Sequence, residues 1–360
     1  GKPFFGGDPA TATQNLPKNA IEKIQVYQEQ DYTKDNVDEN PTDSLLTMNI
    51  KLREDKKFGL FGKIGAGIGT DKRFEADGSA LAYNRKNRFS LAAATNNINK
   101  NADMQSIVRQ SSYRDFNPSN RYVANFGGSG VNKIGFVGAN FNHNFSEETN
   151  SRLNNQFSAG YNFRNNINDV SSQTNSQSSY KGTILNGQSE RESQAENRVH
   201  SLNAEYNKRD RSKDFSASTN YSNTAGNSVS NSFSRTEELG KDLANTNKQS
   251  SNSESSEQNI SFNTSYRNND DDERNLKSFN VNFNTNYAES NSNRNTLTEF
   301  TSYTNSADSK YFNRNYDNES SNFNSSLGFG YNALKRLLFR NHNLWDVNII
   351  FNNNLSFSKN

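Results

Sequence analysis

From Phe58 to the end of the chain, apolar side chains tend to fall at every second position, with polar or small residues between them. The first run is Phe58, Leu60, Gly62, Ile64, Ala66 and Ile68, followed by Phe74, Ala76, Ala80 and Ala82, and then by Phe89, Leu91 and Ala93. The same parity returns in Val137, Ala139, Phe141 and Phe145, in Phe157, Ala159, Tyr161 and Phe163, and in Leu202, Ala204 and Tyr206. It continues through Phe215, Ala217 and Tyr221, through Ile260, Phe262 and Tyr266, and through Phe279, Val281, Phe283 and Tyr287. Phe323, Leu327, Phe329 and Tyr331, then Trp345, Val347, Ile349, Phe351, Leu355 and Phe357, complete the series. A period of two belongs to strands with two chemically different faces, and the pattern predicts eleven of them. Each alternating run covers about 9–13 residues, the length of a tilted strand crossing a hydrocarbon layer rather than that of a soluble sheet.

After the third strand the connections alternate. Short polar links at 84–87, 146–151, 208–213 and 268–277 are interleaved with long segments rich in Asn, Ser, Gln and Thr at 98–132, 165–197, 222–257 and 288–321. Membrane barrels have short turns at one end and long loops at the other. The sequence therefore predicts an all-β fold, a transmembrane antiparallel β-barrel over 56–360. Its apolar face meets outer-membrane lipid, its polar face lines a wet interior, and the four long segments are extracellular loops.

Composition narrows the alternatives. Only 30% of residues are hydrophobic and mean hydropathy is −1.05, too little apolar material for a conventional soluble core of 360 residues. Yet 25 Phe and 15 Tyr are far more aromatic content than a disordered chain carries. A net charge of +2, from 41 basic and 39 acidic residues, gives no electrostatic reason for nucleic-acid binding. Cysteine is absent, which removes thiolate chemistry, and no stretch approaches the ~20 apolar residues of a spanning helix.

Residues 1–55 read differently. Gly6-Gly7-Asp8-Pro9 is a turn, Lys18–Ile24 is predicted as a short helix opened by Pro17, and Ile24–Tyr27 and Met48–Leu52 alternate like strands around a charged loop. This predicts a small α/β unit ahead of the barrel. The chain starts at Gly1-Lys2-Pro3 with neither Met nor a signal peptide and is expected to be a fragment.

The run from Gly1 to Tyr27, then Thr47–Lys57, then Phe58–Lys100, resembles the plug-to-barrel junction of TonB-dependent outer-membrane receptors, including the Ile21-Glu22-Lys23-Ile24 pattern. The resemblance implies that 1–55 is the C-terminal part of a plug, with Gly6, Gly7 and Pro9 in its motif, and that 56–360 is half of a barrel of about 22 strands. It further implies a receptor in the outer membrane of a Gram-negative bacterium. Such a receptor takes up an extracellular nutrient with energy from the TonB complex and can be partnered by a surface lipoprotein. A non-transporting barrel with a structural, surface-assembly or secretion-associated role is the alternative.

Other chemistry is weakly signalled. Gly65-Ala66-Gly67-Ile68-Gly69 lacks the Lys-Ser/Thr of a phosphate loop and reads as a strand closely approached by its neighbours. His143, His200 and His342 lie in separate hairpins without ligand spacing, and Asp270–Glu273 lacks the spaced ligands of a calcium loop, so neither metal nor cofactor is expected. No catalytic constellation is found, and an enzyme is not expected. Aromatics among Asn and Ser in the long segments are the candidate ligand-binding residues: Tyr113, Phe116, Tyr122, Tyr180, Phe233, Tyr303, Tyr311, Phe312 and Tyr316. Rings on polar loops offer contact area at low entropic cost.

Overall fold

The computed structural model describes residues 18–30, 44–53, 58–109, 124–125, 127–128, 130–146, 154–180, 182–210, 212–240, 243–268, 279–331 and 350–359. Gly6, Gly7 and Pro9 lie outside them. A single 3-10 turn at Lys18–Ala20 leads into β1 (Ile21–Gln30), which pairs antiparallel with β2 (Ser44–Leu52). The helix expected over Lys18–Ile24 is therefore replaced by a strand from Ile21 onward. Ile21, Ile24, Val26 and Tyr27 are β-formers, and with a partner strand beside them the extended form wins over helix.

Eleven further strands form one antiparallel sheet in sequence order, which is the number the alternation predicts. They are β3 (Gly59–Ile68), β4 (Phe74–Tyr83), β5 (Asn87–Asn96), β6 (Val131–Asn144), β7 (Asn154–Tyr180), β8 (Thr183–Arg209), β9 (Lys213–Glu238), β10 (Leu243–Asn268), β11 (Phe279–Ser302), β12 (Lys310–Tyr331) and β13 (Ile350–Lys359). Every consecutive pair is hydrogen-bonded. Among the described residues, β3 and β13 each have one partner strand, so the sheet has two open edges.

The strand lengths correct the predicted loops. Segments 165–197, 222–257 and 288–321 are strand for most of their length, and β7 and β8 each run for 27 residues. Gly182, Leu239, Gly240 and residues 303–309 are the described residues of the turns between them. Alternation reports a strand only while its two faces differ in polarity, and beyond the apolar stretch both faces carry Asn, Ser, Thr and Glu. The ladder continues on backbone hydrogen bonds and on cross-strand hydroxyl and amide pairs. Ser251 Oγ lies 3.3 Å from Thr296 Oγ1, for example, and Asn295 donates to Asn313 Oδ1 at 2.9 Å. The fourth expected loop, 98–132, contains a short helix, α1 (Met104–Arg109).

Candidate functional site: an apolar belt and an inner wall

The register lines the apolar positions up across the whole sheet. Gly62 faces Ala80, which faces Leu91, and the same rung continues through Ala139, Tyr161, Leu202, Tyr221, Ile260, Tyr287, Phe323 and Phe357. The neighbouring rung on the opposite face reads Asn140, Gly160, Asn203, Asn220, Ser261, Asn286, Asn324 and Ser356. A shift of one residue at any pairing would transpose the faces.

The apolar face is uncovered. Leu60 is 73% exposed and Ile64 and Ile68 are each 94% exposed, while Phe89, Val137, Phe141, Leu202, Phe262, Leu327 and Phe357 are also exposed. The apolar area left exposed is larger than the scattered apolar residues of an ordinary protein surface. The belt occupies the half of β7–β12 nearest the 145–153, 210–212 and 269–278 connections. Beyond it the strands continue for roughly 15 residues, about 50 Å at 3.3 Å per residue. Tyr161 and His200 stand on the belt face where this extension starts, with Tyr161 Oη 2.9 Å from His200 Nδ1, and His143 stacks between Phe141 and Phe145 towards the other rim. His143 and His200 are thus flanking members of the belt, and no cluster of metal-binding side chains occurs among the described residues. His342 and Asp270–Glu273 lie outside them.

The opposite, inner face is mostly polar, with a covered apolar patch and a few exposed aromatics such as Phe312 and Tyr316 on β12. On β4–β6 it presents Leu81, Ala92, Ala94, Ile134 and Phe136, and α1 packs on them through Ile107 and Val108, with Ala102 beside them and Met104 at the margin. Leu81 and Ile107 are fully buried. Asp103 begins the helix, accepting from the Ser106 N–H at 2.8 Å. Lys63 Nζ donates to the Val108 carbonyl at 2.8 Å, and Lys100 pairs with Glu75. Lower on the same face Ile21, Ile50 and Leu52 of the β1–β2 hairpin pack against Tyr83, with Phe61 bridging the two clusters. The glycines of β3 answer to this wall: a Cβ on Gly59 would lie 2.6 Å from the Tyr83 ring. Gly65 faces Asp77.

The extension differs between its faces. On the belt side a shallow open groove of about 620 Å³ is lined by Glu196, Arg198, Glu254, Asp317 and Glu319. Glu196 accepts from Arg198 Nε at 2.9 Å and from Asn165 Nδ2 at 3.1 Å, and those donors hold its carboxyl below the usual carboxylate range. Asp169 on the same side accepts from Lys133 Nζ at 2.7 Å and Gln194 Nε2 at 2.7 Å, with the same effect. The inner side of β11 and β12 instead carries Arg294, Lys310 and Arg314.

The predicted ligand-binding aromatics are only partly brought together. Tyr113, Phe116 and Tyr122 lie outside the described residues, and Tyr180 ends β7. Tyr303 is exposed in the β11–β12 turn, where its N–H donates to the Ala244 carbonyl at 2.9 Å. Tyr311 and Phe233 are on the belt side of β12 and β9, whereas Phe312 and Tyr316 are on the inner side of β12. Ile21, Glu22, Lys23 and Ile24 are strand residues of β1, with Glu22 accepting from Lys51 at 2.8 Å. The arginines that cover Phe312 and Tyr316, and α1 itself, escape the sequence reading. The alternation of basic and aromatic residues at every second position, Lys310, Phe312, Arg314 and Tyr316, is the signal that could have shown the first.

No protein-family model, curated protein or solved structure matches this chain. No helix among the described residues is long and apolar enough to cross a membrane, which leaves strand-mediated crossing unaffected.

Proposed function

We propose that the chain forms part of the wall of an outer-membrane β-barrel that acts as a receptor and transporter for an extracellular nutrient. One observation carries this reading: the single apolar rung from Gly62 to Phe357, exposed on one face and backed by Asn and Ser on the other. In a bilayer every backbone group has to be paired between strands, so the two open edges require further strands to close the wall. The belt then meets lipid and the opposite face becomes the lumen. The packing of the β1–β2 hairpin on Tyr83 of that inner face supports reading this N-terminal unit as part of a plug. Uptake draws on a TonB-type energy complex acting on this N-terminal unit, and a surface lipoprotein partners the barrel at the polar extension.

The test is reconstitution of the full chain into lipid vesicles. Folded insertion predicts heat-modifiable gel mobility and protection of the belt strands from protease added to either side. Substrate entry that depends on a functioning energy complex in cells supports transport. The reach of the polar strands beyond the belt favours the second reading, a surface-structural barrel, if insertion is found without uptake.

A further inference from the structure

We infer that the inner side of the β11–β12 hairpin is a binding site for a multivalent oxyanion, a small molecule carrying two or more phosphate or carboxylate groups. The register places Arg294 opposite Tyr316 and Arg314 opposite Thr296, so the two arginines are diagonal neighbours on one face, roughly 7–8 Å apart at the backbone. Arg294 lies over the Tyr316 ring with its guanidinium carbon 4.8 Å from the centroid, and Arg314 lies over Phe312 at the same distance. Each ring covers one face of a guanidinium and fixes its plane. Among the described residues no carboxylate accepts from either group, so their N–H edges are open for the bidentate geometry that oxyanions use.

The surroundings favour a negative ligand. Lys310 stands four residues beyond Arg314 on the same face, opposite Phe300. The flanking positions on β10 are Ser253, Ser251 and Gln249, neutral donors with no acid among them. Of the acidic side chains of this hairpin, Glu289, Glu299, Asp317 and Glu319 belong to the opposite parity and face the belt side, and Asp308 lies in the turn beyond Lys310. A ligand with a single charge gains from only one guanidinium, so the pair selects for multivalency. Phosphates and carboxylates share this chemistry, and the experiment below separates them.

This inference deepens the receptor reading by naming a ligand class for the lumen side, and its test does not depend on uptake. The detergent-solubilised full chain is titrated by calorimetry with tripolyphosphate, with tricarballylate and with acetate, at low and at high salt. Saturable binding of either multivalent anion, at least tenfold tighter than acetate and weakened by salt, is expected, and the preferred anion identifies the source. The Arg294→Gln/Arg314→Gln double variant should lose at least tenfold in affinity, while Lys248→Gln on the other face should retain it. Strand content by circular dichroism verifies that the variants fold. Absence of binding by the native chain, or undiminished binding by the folded double variant, overturns the proposal. Failure of vesicle insertion with binding intact would instead count against the membrane reading alone.

Discussion

Lys63 on β3 donates its ammonium to the carbonyl oxygen of Val108, the penultimate residue of α1, at 2.8 Å. This one bond satisfies a helix-end carbonyl that has no intrahelical partner and ties a connecting segment to the inner wall. A charged hydrogen bond of this kind contributes about 1.5–3 kcal/mol. Lys63→Ala should therefore raise the hydrogen-exchange rate of the α1 amides while leaving β7–β12 protected. Unchanged exchange in α1 would mean the contact is incidental.

The helix is also held by apolar burial. Ile107 is fully buried against the apolar patch of β4–β6 on the inner face. Ile107→Ala should cost about 2–5 kcal/mol, the range for cavities in a well-packed core. The check is the urea unfolding midpoint of the vesicle-bound protein. Leu202→Ala on the belt should produce a much smaller change, because that side chain packs against no protein layer.

Acid should loosen the base of the extension. The Lys133 and Gln194 hydrogen bonds lower the Asp169 pKa, so the stabilisation they bring is complete above the ordinary carboxylate value and disappears as pH falls through the folded value. For so exposed a pair the contribution is below about 1 kcal/mol. Melting of the native chain and of Asp169→Asn should accordingly differ at neutral pH and converge as the pH falls well below the ordinary carboxylate value. A constant difference across that range would contradict the assignment.

Gly182 closes the β7–β8 hairpin at a φ of 84°, a left-handed conformation that a β-branched residue resists. No atom crowds the position, so strain rather than collision decides the outcome. Gly182→Val should destabilise the tip by about 1–2 kcal/mol and increase proteolysis there. Equal protease resistance in the variant would show that the tip conformation is unimportant.

The same turn shows what the sequence discloses and what it hides. Eleven strands and their facing parity are legible because Phe141 or Phe283 between asparagines separates an apolar face from a polar one only in a strand. Strands past Phe163 or Tyr221 lose that contrast, and Lys181-Gly182 and Gly240-Lys241-Asp242 were then the only local signs that the polar segments double back. Ile21–Ile24 misleads for a different reason, since the pairing of β1 with β2 outweighs the helix-start signal at Pro17. The packing of α1 rests on contacts between distant parts of the chain, Ile107 with Leu81 and Phe136, which no local pattern encodes. Of the expected ligand-binding aromatics, Phe312 and Tyr316 share a face but Tyr311 does not, a distinction that only the period-two parity of β12 supplies.

The most direct test of the proposal that the belt faces lipid is fluorescence quenching from within the bilayer. Trp345 is the single tryptophan and can be replaced by Phe, after which one Trp is placed at Phe283 or at the adjacent Asn284. In vesicles containing brominated acyl chains, the account predicts strong quenching at 283 and weak quenching at 284. Equal quenching at both positions, or stronger quenching at 284, would contradict it.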